Sequence, residues 1–378
     1  MRGVDYIPRY IMVGGFLGAG KTTAIIRLAE FLNRSGKRVG LISNDQGENL
    51  VDTALMKSKG FKTEEITGGC FCCRFNSLIE AVRKLSNEVA PDIFIGEPVG
   101  SCTDLVATVT FPLRKLYGEE FVISPVSVLV DPFRAIRVFG IDRSPARNLS
   151  ERVKYIYLKQ LEEADAVVVN KCDAAEEKLL ARLCDEIKIR FPEKPIFRVS
   201  AKTGQNLEQW FDFILNNHQS VGNAIDVDYE IYANGEAQLG WLNCAIEVSS
   251  RSMFNPNQII KFIALEIKEN LDRSNAEVAH LKMSFSPRKN IAGELAVVNL
   301  VRGDFIPELS FTLEEDADAG QLVINLRAEA TPPILEQAVK TAIDTVKKRY
   351  GDIEFNISAL ERFSPAKPQP THRLPEIG

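Results

Sequence analysis

The chain of 378 residues carries 46 Lys and Arg against 51 Asp and Glu, for a net charge of −5, with 45% hydrophobic and 26% charged residues. Its length predicts two domains, its acidic balance argues against nucleic acid as a partner, and no apolar run reaches the roughly 18 residues that span a bilayer. Residues 1–8 contain no apolar signal core, and seven cysteines in so large a chain read as thiols rather than a disulfide frame, so a cytoplasmic protein is expected.

From residue 10 to residue 217, short apolar runs alternate with helix-length amphipathic ones. That alternation is the pattern of a mostly parallel α/β sheet with helices on both faces. Strands are predicted at 10–13, 38–43, 92–95, 126–130, 166–169 and 196–199, and helices at 22–34, 76–89, 151–163, 175–190 and 207–216. Residues 218–240, rich in Gly, Asn, Asp and Gln, read as a connector. A smaller α+β domain, with a ferredoxin-like layer as one candidate arrangement, is predicted over 241–363. Its strands fall at 242–248, 281–285, 295–301, 322–326 and 353–357. One helix opens at Asn255-Pro256 and a second runs from Thr331-Pro332 to a stop at Gly351. The Pro-rich tail, 364–378, is expected to be disordered.

The motifs fall at the carboxyl ends of the predicted strands, where open α/β sheets bind ligands. Gly15-Phe-Leu-Gly18-Ala19-Gly20-Lys21-Thr22-Thr23 follows a strand and opens a helix, the setting of a phosphate-binding P-loop. Backbone N–H groups would surround the phosphates, Lys21 would reach the β- and γ-phosphates, and Thr22 would bind Mg²⁺. Glu97, at the tip of a neighbouring strand, is a second Mg²⁺ candidate, and Gly100 would let backbone approach the γ-phosphate. In Asn170-Lys171-Cys172-Asp173, the Asp173 carboxylate matches the two donors on the edge of guanine. Adenine presents an acceptor there and would be rejected. Lys171 would lie along the base, Asn170 would tie its loop to the P-loop, and Ser200-Ala201-Lys202 would place a backbone N–H at the guanine O6. GTP and GDP are therefore favoured over adenine nucleotides.

Cys70, Cys72 and Cys73 fall within four residues, in a Gly-led turn before a helix. Thiolates suit Zn²⁺ and, as a borderline ion, Co²⁺, with Ni²⁺ or Fe²⁺ as further candidates. Asp45 and Glu48, in Asn44-Asp45-Gln46-Gly47-Glu48, are candidate carboxylate ligands. Cys102 is a candidate extra thiolate near Glu97, weighed against a buried packing role. A redox pair or inert buried cysteines are the bland alternatives.

The P-loop, the Asn-Asp-Gln-Gly-Glu loop, Gly-Gly-Cys-Phe-Cys-Cys, Glu-x-x-Gly and Asn-Lys-Cys-Asp occur in one order over residues 10–217. That order resembles the CobW-like metallochaperones of the G3E family of P-loop GTPases. The resemblance implies slow, Mg²⁺-dependent GTP hydrolysis coupled to binding of a divalent transition metal, and delivery to a client metalloenzyme or cofactor-biosynthesis protein. It carries over Cys70, Cys72 and Cys73 as metal ligands, Glu97 as the Mg²⁺-side acid, and Asp45 and Glu48 as switch carboxylates. Lys21, Thr22, Asp45 and Glu97 form the expected catalytic set, with Asp45 orienting water. A nucleotide-dependent homodimer is a further expectation, and no arginine finger is assignable. The chain departs from many relatives in lacking a histidine-rich stretch (its histidines are His218, His280 and His372) and in having Asp45-Gln46 where relatives commonly show Glu-Phe. Three rival readings remain: a regulatory GTPase with structural cysteines, an iron–sulfur or redox protein, and a small-molecule kinase. The last does not explain the guanine motifs.

Overall fold

The computed structural model describes residues 7–45, 51–142, 148–220, 222–289 and 293–377. In chain order the first domain contains β1 (Arg9–Gly15), α1 (Lys21–Arg34), β2 (Val39–Asn44), α2 (Val51–Ser58), β3 (Lys62–Ile66), α3 (Phe75–Val89) and β4 (Ile93–Glu97). A π-turn over Val106–Thr110 then runs into α4 (Phe111–Tyr117). After these come β5 (Val122–Ile123), β6 (Ser127–Val130), α5 (Pro132–Val138), α6 (Glu151–Glu163), β7 (Ala166–Val169), α7 (Glu177–Arg190), β8 (Ile196–Arg198) and α8 (Leu207–Asn216). The strands form one parallel sheet in the order β3-β2-β4-β1-β6-β7-β8, with β5 paired to the start of β1. β1 is central, and its strand residues from Tyr10 to Gly15 are buried on both faces. The P-loop therefore emerges mid-sheet, with the ends of β2 and β4 on one side and those of β6 and β7 on the other.

All six predicted strands and five predicted helices of this domain are present, with ends moved by a residue or two. The sequence did not signal β3, whose Lys-Thr-Glu-Glu-Ile is polar because it is an edge strand with half-exposed side chains. It also gave no sign of the π-turn, whose Val-Ala-Thr-Val-Thr has β-branched residues that favour strand.

The connector contains β9 (Gly222–Asn223) and α9 (Tyr229–Gln238), which packs on α6 through Tyr232, Val227 and Ile156. The second domain comprises β10 (Leu239–Phe254), α10 (Pro256–Arg273), β11 (Glu277–Pro287), β12 (Ala296–Leu300), β13 (Glu308–Phe311), β14 (Ala317–Glu329), α11 (Pro332–Arg349) and β15 (Ile353–Phe363). Its strands form an antiparallel sheet in the order β13-β12-β11-β14-β10-β15. The four strands β15-β10-β14-β11 with α10 and α11 make a split βαβ layer, and β12 and β13 extend its edge.

Alternation along these strands sorts two faces. Leu242, Cys244, Ile246, Leu281, Met283, Leu322, Ile324 and Leu326 join the α10/α11 core. Trp241, Asn243, Lys282, Asn325 and Arg327 occupy the alternate positions, yet these are buried too. A polar face of this kind normally meets water. Here it meets the first domain.

The tail, expected to be disordered, follows a defined path. The Thr371 N–H donates to the Cys72 carbonyl (2.9 Å) and the Leu374 N–H to the Ala107 carbonyl (2.8 Å). Arg373 pairs with buried Asp104, and β16 (Glu376–Ile377) pairs with β9. The Pro-rich composition shows that the tail cannot form a core alone. It does not show that another domain supplies the partners.

Candidate functional site

Glycine conformation shapes the P-loop. Gly20 has φ +90°, and a Cβ there would lie 2.4 Å from Asn170 Nδ2. With no side chain in the way, Asn170 Nδ2 donates to the Ala19 carbonyl (2.9 Å), while its Oδ1 accepts the Ala201 N–H (2.9 Å). Asn170 thus ties its loop to both the P-loop and the Ser200 loop. Lys171 donates to the Gly18 carbonyl (2.7 Å) and to Asp131 (2.6 Å), a residue for which the sequence gave no signal. Asp173 is exposed at the rim. The Ala201 N–H is thus engaged by Asn170, and the Lys202 side chain pairs with Glu308 of the second domain.

Lys21 is buried and donates to the Gly15 carbonyl (3.0 Å). Burial draws its ammonium below the usual lysine range against the opposing charge of Glu97. The Thr22 hydroxyl contacts two carboxylates, Asp52 and Glu97, the latter at 3.0 Å. One hydroxyl proton cannot serve both. Burial, then repulsion from Asp52, pushes Glu97 up to about 7. Burial would raise Asp52 as well, but Lys282, His280 and the Thr22 hydroxyl together outweigh it and hold that carboxyl at about 2. Glu97 Oε2 is buried with no hydrogen-bond partner among the described residues. Three converging oxygen groups, one with an orphaned buried atom, fit a hard divalent cation such as Mg²⁺. Asp52 lies 30 residues from Thr22 in sequence and was not foreseen.

The cysteine turn leaves β3 through Gly68 and Gly69. Asn44, at the end of β2, staples it: Nδ2 donates to the carbonyls of Ile66 (3.0 Å) and Gly69 (2.8 Å), and Oδ1 accepts the Phe71 N–H (2.8 Å). Cys70 and Cys72 are buried, and Cys73 is half-buried. The sulfurs lie 2.7 Å (Cys70–Cys72), 3.4 Å (Cys70–Cys73) and 3.7 Å (Cys72–Cys73) apart. Around a tetrahedral ion with metal–sulfur bonds of about 2.3 Å, sulfurs stand about 3.8 Å apart. Two of the three separations approach that value, and the Cys70–Cys72 pair would open by about 1 Å. The neighbouring thiols, Cys102 first and then Cys72 and Cys73, hold the Cys70 thiol well below the usual range. The same grouping pushes Cys72 and Cys102 up and Cys73 to about 11. The tail covers the turn: the Gln369 N–H points at Cys73 Sγ (3.3 Å), and His372 stands edge-on to Phe75.

The structure does not bring Asp45 to these thiols. Its carboxylate accepts from Arg327 of β14 at 3.1 and 3.2 Å, and that guanidinium lies 3.4 Å over the Trp241 ring. A buried arginine attracts the nearest carboxylate more strongly than neutral thiols do. Glu48 lies outside the described residues. The second domain also places Asn325 on the Val51 N–H (2.9 Å), Lys282 on Asp52, and Val301 against Gly18. It therefore lies across the phosphate edge of the sheet, and none of these contacts was readable locally.

Residues 9–198 match the family described as CobW/HypB/UreG, nucleotide-binding domain, and the chain belongs to that family. It is 33% identical over 211 residues to the zinc chaperone CobW of Sinorhizobium sp., covering 51% of this chain and 59% of the relative. It is 32% identical over 171 residues to the zinc chaperone YeiR of Escherichia coli (strain K12), covering 44% and 47%. The matches thus span about half the length of these curated relatives. Among solved structures, HypB from Helicobacter pylori in complex with nickel is 23% identical, with 57% of this chain and 91% of that chain covered and a TM-score of 0.41. Among the described residues, no helix is long and apolar enough to cross a membrane.

Proposed function

We propose that this protein is a GTP-hydrolysing metallochaperone that carries a divalent transition metal, Zn²⁺ or Co²⁺, on Cys70, Cys72 and Cys73. The observation that carries this reading is the convergence of the three sulfurs, all within 4.8 Å of one another, on a turn pinned to β2 by Asn44. β2 leads directly into the Asp45 loop, so the metal turn and a candidate phosphate-responsive segment share one strand end. Lys21, Thr22, Asp52 and Glu97 would hold Mg²⁺ and the phosphates; Asn170, Lys171, Asp173 and Lys202 would select guanine.

Hydrolysis by the isolated protein would be slow, because Asp45 must leave Arg327 before it can orient water. Arg327, paired with Asp45, is then the candidate cation at the switch, a role for which no arginine was assignable from sequence. Metal would pass to a client metalloenzyme or cofactor-biosynthesis protein, and the second domain is the candidate client-binding unit.

The test is anaerobic chelator competition for Zn²⁺ and Co²⁺, with Mg-GDP and with a non-hydrolysable Mg-GTP analogue. A tenfold difference in affinity between nucleotide states, about 1.4 kcal/mol of coupling, is expected, and Cys72→Ala should abolish it. Equal affinities would instead favour a regulatory GTPase with structural cysteines.

A further inference from the structure

Gln369 to Ile377 lie across the cysteine turn as an extended strap. Pro365, Pro368, Pro370 and Pro375 restrict the backbone of this stretch, so less conformational entropy is lost when it docks. Thr371 spans two carbonyls of the turn: its N–H donates to that of Cys72 (2.9 Å) and its hydroxyl to that of Cys73 (3.2 Å). The Gln369 N–H points at Cys73 Sγ (3.3 Å). Further along, the Leu374 N–H donates to the Ala107 carbonyl (2.8 Å), and the Pro375 carbonyl accepts the Ala224 N–H (2.7 Å). Leu374 and Ile377 pack against the apolar cluster that contains Cys70, Phe71 and Cys72.

A buried charge fixes the strap. Arg373 Nε donates to Asp104 (2.7 Å), whose side chain is 0% exposed, and the Tyr229 hydroxyl donates to the same carboxylate (2.7 Å). Arg373 also donates to the Ile225 carbonyl (3.2 Å). A carboxylate so deeply buried needs a counter-charge, and Arg373 brings one. Of the three thiols on the turn, Cys70 and Cys72 are buried and Cys73 is half-buried, and Cys73 is the one whose sulfur the strap touches.

We propose that residues 369–377 are a displaceable strap that limits the exchange of metal at the cysteine turn, with Arg373 on Asp104 as its latch. The proposal deepens the metal reading given above and rests on it for the cargo, but the strap itself is testable without metal. It slows entry and exit of the ion alike and is not a ligand, so it governs rates more than affinity. An acceptor reaches the ion once the strap lifts.

The test uses the full chain without nucleotide. In the metal-free protein, alkylation of Cys73 by iodoacetamide is followed by mass spectrometry, with half-buried Cys172 as the internal reference. Thr371→Pro removes the N–H and the hydroxyl that grip the turn and should speed alkylation of Cys73 about tenfold, as expected when two hydrogen bonds no longer oppose local opening. Arg373→Ala should do the same, and Arg373→Lys should retain most of the protection. Lys367→Ala, which removes an exposed pair with Glu230, should change nothing. Loaded anaerobically with Co²⁺, Thr371→Pro should pass the ion to a chelator about tenfold faster, while its equilibrium affinity shifts less than about threefold. Should Arg373→Ala fold poorly, Thr371→Pro decides, because Thr371 is exposed. Unchanged alkylation of Cys73 in Thr371→Pro overturns the strap. Faster alkylation with unchanged Co²⁺ transfer overturns its role in metal exchange. Faster alkylation in a protein that binds no Co²⁺ would instead overturn the metallochaperone reading, while the strap's cover of the thiols stands.

Discussion

Asn44→Ala tests whether the cysteine turn is built from β2. The change removes one acceptor and two donor contacts. The Ile66 carbonyl keeps a partner in the Asp45 N–H (3.2 Å), and half-exposed Gly69 can be rehydrated. The Phe71 N–H has no such recourse, because Phe71 is 0% exposed. An orphaned buried donor costs about 1–3 kcal/mol, so exchange of the Phe71 amide should accelerate about 5- to 150-fold. Loosening the support of the ligands should weaken Co²⁺ binding about 10- to 100-fold. GDP binding should change less than about threefold, since Asn44 makes no contact with the P-loop among its recorded hydrogen bonds. Asn44→Asp keeps an acceptor for Phe71 and should protect that amide better than alanine does. The assays are hydrogen exchange of a peptide spanning the turn and anaerobic Co²⁺ competition. Unchanged exchange at Phe71 with unchanged Co²⁺ affinity would refute the view that β2 organises the metal turn.

Asp173→Asn should lower GDP affinity about a hundredfold or more and shift preference toward xanthine nucleotides, whose C2 carbonyl accepts where guanine donates; competition with labelled GDP measures both. Glu163 is buried, accepting from the Val106 N–H (3.1 Å) and Thr103 (3.1 Å), and burial pushes its carboxyl up to about 8. A carboxyl raised in the folded state favours folding while protonated, so stability should fall as pH rises from the unfolded value near 4.5 toward 8. Denaturation at pH 5 and pH 8 should differ on the order of 3 kcal/mol more in the unaltered protein than in Glu163→Gln; equal pH slopes would count against a buried neutral Glu163.

The local motifs were legible as patterns. The P-loop, Asn170 to Asp173 and the cysteine turn are each short and lie beside a strand or helix end, so spacing alone made them visible. The alternating apolar runs likewise determined the parallel sheet, since strands covered on both faces must be apolar throughout. Tertiary structure decided what lies between segments. Asp52 beside Thr22, Arg327 on Asp45, Lys282 on Asp52 and the tail over Cys73 join residues from 30 to 296 positions apart. Period-two alternation in β10, β11 and β14 marks a polar face, but it carries no information about what covers that face. Domain docking supplied the cover, and its charged contacts pulled Asp45 away from the thiols that its neighbourhood in sequence had suggested it would join.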